Sequence, residues 1–139
     1  MHYFINLLLA SVCMILCPLE ARAIGDDIDM DELPAGAQFI LSNNFDVSDI
    51  YSIHTTKSKS KGPSYTVYFN SGRKAVFNSL GDWILLDYVK DAVPYLLVPS
   101  KIRNYIAAKY GPYVYPVYIQ KVKNKMEIKL NNEIVMQLK

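Results

Sequence analysis

The sequence predicts an α+β fold in which one helix-plus-strands unit is written twice, forming a single, roughly seven-stranded antiparallel sheet with two helices packed on one face. Three observations predict it. The segment LPAGAQFILSNNF (33–45) aligns with VPSKIRNYIAAKY (98–110) at a shift of 65 residues. After each segment the apolar period changes from helical to alternating. The alternating runs are joined by Asn70-Ser71-Gly72 in the first half and by Asn131-Asn132 in the second, residues that suit hairpin turns.

The chain opens with MHYFINLLLASVCMILCPLEARA. An apolar run over 4–16 leads into Ala21-Arg22-Ala23, the layout of a secretory signal cleaved after Ala23, and His2 is the only basic candidate ahead of it. The run is short for a membrane span, so residues 1–23 read as a signal peptide and no stable span is expected after its removal. Cys13 and Cys17 both fall inside it, and neither follows the small residue that lipoprotein processing prefers. A mature chain without cysteine excludes disulfides, thiol catalysis and thiolate metal sites.

Residues 24–32 carry Asp26, Asp27, Asp29, Asp31 and Glu32 and read as an acidic, flexible leader that also favours the helix start behind it. Asp27, Asp29 and Asp31 have the spacing of the first ligands of an EF-hand. Glu32 then stands where that loop needs glycine, and Gln38 where it needs glutamate, so no metal or other cofactor is expected.

Residues 33–139 read as one domain with halves 33–91 and 92–139, and a mature chain of 24–139 is long enough to bury roughly 65% of its unfolded surface. Pro34 and Pro99 suit the first position of a helix, where a missing N–H costs nothing. Ala37, Ile40, Leu41 and Phe45 form one apolar stripe, with Phe39 off it; Ile102, Tyr105, Ile106 and Tyr110 form the second. Next, DVSDIYSIHT aligns with PYVYPVYI, which puts Tyr51 with Tyr115 and Ile53 with Val117 on the inward face. SYTVYFNSGRKAVF then aligns with KMEIKLNNEIVMQL, matching Val67 with Ile128 and Phe69 with Leu130. The first half adds a fourth strand, WILLDYV, and KDAVPYLLVPS bridges to the second helix with one short helical turn.

These residues resemble the beta-lactamase-inhibitor-like, PepSY-like family of small secreted bacterial proteins. The resemblance rests on Leu33-Pro34, on Tyr65-x-Val67-x-Phe69-x-x-Gly72, on Phe77-Asn78-x-x-Gly81-x-Trp83, and on Ala92-Val93-Pro94 followed by Val98-Pro99. It implies a helix-plus-sheet fold, export to the periplasm or beyond, and no catalytic residues. Where the family carries an aromatic-proline pair after the second helix, this chain has Tyr110-Gly111-Pro112. Inhibition of a beta-lactamase does not come over with the fold, since inhibitory contacts live in particular loops.

His54, with Thr55 and Thr56 beside it, would need a nucleophile and an orienting carboxylate to act as a base. No nucleophile-elbow sequence is present, and a surface histidine is the expectation. Lys57, Lys59 and Lys61, with Lys121, Lys123, Lys125 and Lys129 in the second half, read as a solvated basic end of the sheet that steers anions, and nucleic acid is no natural client for an exported protein. Trp83 reads chiefly as a core side chain and secondarily as an exposed contact.

The sequence therefore points to an exported, non-enzymatic binding module with a protein partner in the cell envelope. A peptidase-inhibitory or chaperone-like role and a small-ligand or envelope-sugar binder stand as alternatives. In GPYVYPVYIQ (111–120), Tyr113, Tyr115, Val117 and Ile119 are expected to face the core. Val114, Pro116 and Tyr118 are expected to form an apolar contact patch, with Trp83 as a further contact. Pro116, having no N–H for a ladder, is expected at a sheet edge or a bulge. Pairing of the fourth strand with the last strand of the second half would make both first strands edges.

Overall fold

Among the described residues, each of eight strands pairs antiparallel with the next in sequence, so the sheet is an uninterrupted meander. The computed structural model describes residues 26–58 and 62–139; the expected signal peptide with Cys13 and Cys17, and Lys59, Ser60 and Lys61 of the basic loop, lie outside them. The strands are β1 (Asp26–Asp27), β2 (Ile50–Ser58), β3 (Gly62–Phe69), β4 (Lys74–Phe77), β5 (Trp83–Asp87), β6 (Pro116–Val122), β7 (Lys125–Leu130) and β8 (Val135–Leu138). Helix α1 (Ala35–Asn44) precedes β2, and α2 (Ser100–Tyr110) precedes β6. Pro34 and Pro99 occupy the position just before each helix and close the extended entry to it.

Register shows how the faces divide. Ile53, Val67, Ala75, Leu86, Ile119, Ile128 and Met136 lie opposite one another from strand to strand, so they share one face. The helix residues Ala37, Leu41, Ile102 and Ile106 join most of these in a single buried cluster, which places both helices on that face. Fully buried side chains such as Leu41, Phe77, Leu86 and Ile128 each stabilise this core by about 1.5–3 kcal/mol. The opposite face carries the row His54, Thr66, Val76, Leu85, Gln120, Glu127 and Gln137, and neither described helix packs on it.

The two stripes read from the sequence are the buried helix faces, and Phe39 points to solvent as its position off the stripe requires. Tyr105 is the exception: it lies at the margin of α2, partly exposed, and accepts a 3.2 Å hydrogen bond from Lys109 Nζ. The short turn expected between the halves is the 3-10 turn Tyr95–Leu97.

Four expectations are corrected. The acidic leader is ordered from Asp26: Asp26 and Asp27 pair with Thr55 and His54, Ile28 N donates to Ile53 O at 2.9 Å, and Met30–Glu32 form a 3-10 turn. This segment adds the eighth strand. Second, β5 pairs with β6, so the first strand of the second half is central, not an edge. Pro116 is accommodated by a bulge, where Pro116 faces Leu130 and Tyr118 faces Lys129, leaving Val117 between them.

Third, Tyr51, Tyr113 and Tyr115 are exposed. A bulge between Ile50 and Ser52 turns Tyr51 away from the core, and 113–115 precede the regular part of β6. Fourth, Val117 is buried apart from the core cluster, as is Leu85 on the helix-free face.

A close approach explains the glycine in Phe77-Asn78-x-x-Gly81-x-Trp83. Gly81 has φ +88°, and a Cβ there would sit 2.9 Å from Pro34 Cβ and 3.1 Å from the Ala37 nitrogen. Asn78 Oδ1 accepts from the backbone of both Leu80 and Asp82 and shapes this turn. The turn thereby packs directly under the start of α1.

Candidate contact groove

A groove of about 390 Å3 opens between α2, the 92–95 loop and the segment leading into β6. Its walls include Val98, Ile106, Val114 and Pro116. Each element has a local reason for its place. Pro94 precedes the 3-10 turn Tyr95–Leu97, and Val98 and Pro99 lead straight into α2. Ile102 and Ile106 bury into the core, which leaves Arg103 to turn toward the groove. Gly111 ends α2 at φ +88°, with its N–H donating to Ala107 O at 3.1 Å.

The 113–116 segment is held from two sides. Asn131 accepts from Tyr115 N at 3.0 Å, and its side-chain and backbone nitrogens donate to the carbonyls of Tyr113 and Tyr115. From the other side Val93 N donates to Pro116 O at 2.9 Å. The backbone of this segment is fixed while Tyr113 stays 86% exposed, and across the groove Tyr95 and Leu96 are 69% and 87% exposed.

Arg103 is the one charged residue of the groove wall. Its guanidinium carbon lies 4.0 Å from the centroid of the Tyr95 ring, a cation–π stack. Its Nε is buried with no hydrogen-bond partner, and among the described residues Arg103 makes no ion pair.

The four residues expected as contacts divide among three surfaces. Val114 and Pro116 meet in this groove on the helix side, with Pro116 buried. Tyr118 is on the helix-free face, opposite Asp87 and Lys129, where its hydroxyl donates to Gln120 Oε1 at 2.8 Å. Burial, reinforced by the charges of Glu127 and Asp87, raises its pKa. The single expected patch of Val114, Pro116 and Tyr118 does not exist, because the bulge puts Pro116 and Tyr118 on opposite faces.

Trp83 is 8% exposed, a core residue whose outer ring face is covered by Lys121 Nζ, 3.9 Å from the ring centroid. Burial depresses the Lys121 pKa, against the opposing charge of Asp82. Arg103 and Tyr95 are the site residues that sequence reasoning missed. The available signal was Arg103 as a charged residue directly beside the apolar stripe of a helix that follows a Pro-Tyr turn.

At the far edge of the sheet, His54 Nδ1 is 2.7 Å from Asp27 Oδ1, and its Nε2 is 3.2 Å from Ser52 Oγ. The carboxylate and hydroxyl that a catalytic histidine would require are thus both beside it. The three groups have the spacing of an acid–base–nucleophile relay, and Ser52 and His54 stand on the face opposite the helices. Their physical effect is to clip β1 onto β2.

Asp29, Asp31 and Glu32 each bring a carboxylate oxygen within 4.8 Å of the others, all exposed, and Glu32 Oε2 accepts from Asp29 N at 2.7 Å. Among the described residues no helix is long and apolar enough to cross a membrane.

Residues 63–139 match the model of the beta-lactamase-inhibitor-like, PepSY-like family. Among solved structures, a protein described as periplasmic and of the DUF2874 family, from Bacteroides vulgatus ATCC 8482, is 28% identical with a TM-score of 0.74; the match covers 81% of this chain and 87% of that one. A protein of Bacteroides thetaiotaomicron described as calcium-regulated and periplasmic is 25% identical with a TM-score of 0.70, over 81% of this chain and 87% of its own. A second Bacteroides vulgatus protein, described as periplasmic and of unknown function, is 25% identical with a TM-score of 0.70, over 81% of this chain and 91% of its own. A search of curated proteins finds no match. Export to the periplasm or beyond, expected from the first 23 residues, agrees with these relatives. With its family model spanning β3 to β8 and its fold shared with periplasmic relatives, this chain belongs to the beta-lactamase-inhibitor-like, PepSY-like family.

Proposed function

We propose that the protein is a non-enzymatic binding module of the cell envelope that engages a protein partner through the groove between α2 and the 113–116 segment. The observation that carries this reading is an apolar groove lined by the exposed Tyr95 and Tyr115, adjoined in the chain by the exposed Leu96 and Tyr113, and holding an arginine that makes no ion pair among the described residues. Large apolar side chains left in water around a concavity are a common mark of an interface, and tyrosine and arginine dominate binding energy at such sites. Val114 and Pro116 form the inner wall of the proposed contact; Tyr118 and Trp83 lie on other surfaces and are left out of it.

The test is retention. The mature chain used as bait in envelope extract should hold a discrete partner, and the double variant Tyr95→Ala, Tyr113→Ala should release it. Retention unchanged in that variant would refute the groove as the contact. A peptidase inhibitor would instead slow envelope peptidases at near-stoichiometric amounts, and a sugar or small-acid binder would shift tryptophan fluorescence with no protein retained.

The duplicated unit belongs with this reading. The hairpin β3–β4 pairs Val67 with Ala75 and Tyr65 with Phe77, and β7–β8 pairs Ile128 with Met136 and Met126 with Leu138. Each half also carries one bulge in its first long strand. These matches support a tandem repeat in which the groove is specific to the second half.

A second reading rests on Asp29, Asp31 and Glu32: a calcium site at the sheet's first edge, as one solved relative is described as calcium-regulated. Calcium takes six to eight oxygens, so these three carboxylates would be completed by water or backbone carbonyls.

A further inference from the structure

We propose that the groove takes an acidic, apolar internal segment of a partner polypeptide, with an apolar side chain seated against Val98, Ile106, Val114 and Pro116 and a carboxylate on Arg103. This deepens the binding-module reading and rests on it.

Charge is the first argument. Arg103 is a cation in an otherwise uncharged wall, and α2, SKIRNYIAAKY, carries Lys101 and Lys109 with no acidic residue to neutralise any of them. Among the described residues nothing pairs with the guanidinium, and its Nε is out of water without a partner. A cation in such surroundings has lost part of its hydration and gains more from a carboxylate than it would at an open surface.

Geometry is the second. The guanidinium carbon lies 4.0 Å from the Tyr95 ring centroid, and with Nε buried it is the two terminal nitrogens that are left to meet a carboxylate. Arginine is suited to this task as lysine is not, because the fork matches two carboxylate oxygens.

Size is the third. A volume of about 390 Å3 holds only a few side chains, yet the exposed Leu96 and Tyr113 follow directly on the lining residues Tyr95 and Pro112 and lie outside it. A small acid would leave those two side chains in water. A chain that runs on beyond its acidic residue covers them.

The probe is a fluorescein-labelled, carboxy-amidated hexapeptide of sequence Gly-Leu-Glu-Phe-Leu-Gly, compared with its twin carrying glutamine for glutamate, by fluorescence anisotropy. The glutamate peptide should bind about tenfold tighter than the twin at low salt, a preference that fades as salt rises. Arg103→Gln should erase the preference while leaving the weaker binding of the twin in place; Arg103→Lys should keep part of it. Tyr113→Ala should weaken both peptides alike. A thermal melt of each variant checks that it is folded.

Equal affinity for the twins, a preference that survives Arg103→Gln in a folded variant, or no binding of either peptide would overturn the carboxylate proposal. Retention of an envelope protein that depends on Tyr95 and Tyr113 but ignores Arg103→Gln would keep the binding module and remove its acidic partner.

Discussion

The hydroxyl of Tyr88 donates a 2.6 Å hydrogen bond to the backbone carbonyl of Asn44, at the last residue of α1. The same ring packs on Phe45, with centroids 4.8 Å apart, and takes the Arg73 guanidinium at 4.7 Å. One side chain thus ties the end of β5 to the end of α1. Tyr88→Phe keeps the packing and removes the bond, so it should cost about 1 kcal/mol in urea denaturation at neutral pH.

Burial raises the Tyr88 pKa above the ordinary value of 10.0, against the opposing pull of Arg73. The folded state therefore holds the proton after the unfolded state has lost it. Stability owed to this group is full below pH 10 and falls as pH rises beyond it, by up to about 1.4 kcal/mol per unit. Tyr88→Phe should make the alkaline fall shallower; Tyr118, raised in the same direction, would retain its own share. An unchanged alkaline slope in the variant would contradict this assignment.

Gly81→Ala should destabilise the domain by about 2–3 kcal/mol, since it adds a Cβ at positive φ and drives it into Pro34. Gly111→Ala, at φ 88° and ψ −176° but with open space around it, meets backbone strain without a clash and should cost less, about 1–2 kcal/mol. Equal costs at the two sites would mean that the approach of α1 to the β4–β5 turn is not tight.

Much of this architecture is legible in the sequence because burial leaves a period behind. Ala37, Leu41, Ile102 and Ile106 repeat at helical spacing, and Val67, Phe69, Ile128 and Leu130 alternate, so helices and hairpins follow. Bulges are not legible in that way. One extra residue at Tyr51 or Val117 reverses which face the neighbouring side chains take, and nothing in the alternation of apolar residues marks it. The order of β1 was hidden for another reason: two residues are too few to show a period, and Asp27 is held by pairing with His54. The groove was half legible. Val114 and Pro116 stood out as apolar, whereas Arg103 and Tyr95 come together only through the fold.

Asp27, His54 and Ser52 should act as a clip and not as a relay. Asp27→Ala should speed amide exchange at Ile28 and change global stability by less than about 1 kcal/mol. p-Nitrophenyl acetate should give no acyl burst. A burst that Ser52→Ala abolishes would establish a nucleophile and contradict the non-enzymatic reading.

Calcium at millimolar concentration should raise the melting temperature of the protein, and Asp31→Asn should remove the shift, if Asp29, Asp31 and Glu32 bind the ion. Magnesium should do less, because it demands a tighter octahedral shell. No shift with calcium would refute the second reading and leave the groove untouched.

Photo-crosslinking in the living envelope tests the groove most directly. With p-benzoylphenylalanine placed in turn at Tyr95, Tyr113, Tyr51 and Tyr118, irradiation should give one discrete protein adduct from positions 95 and 113. Position 51, which is exposed but remote on β2, and position 118, on the helix-free face, should give none. Adducts from 51 or 118 with none from 95 and 113, or no adduct from any position, would contradict the account.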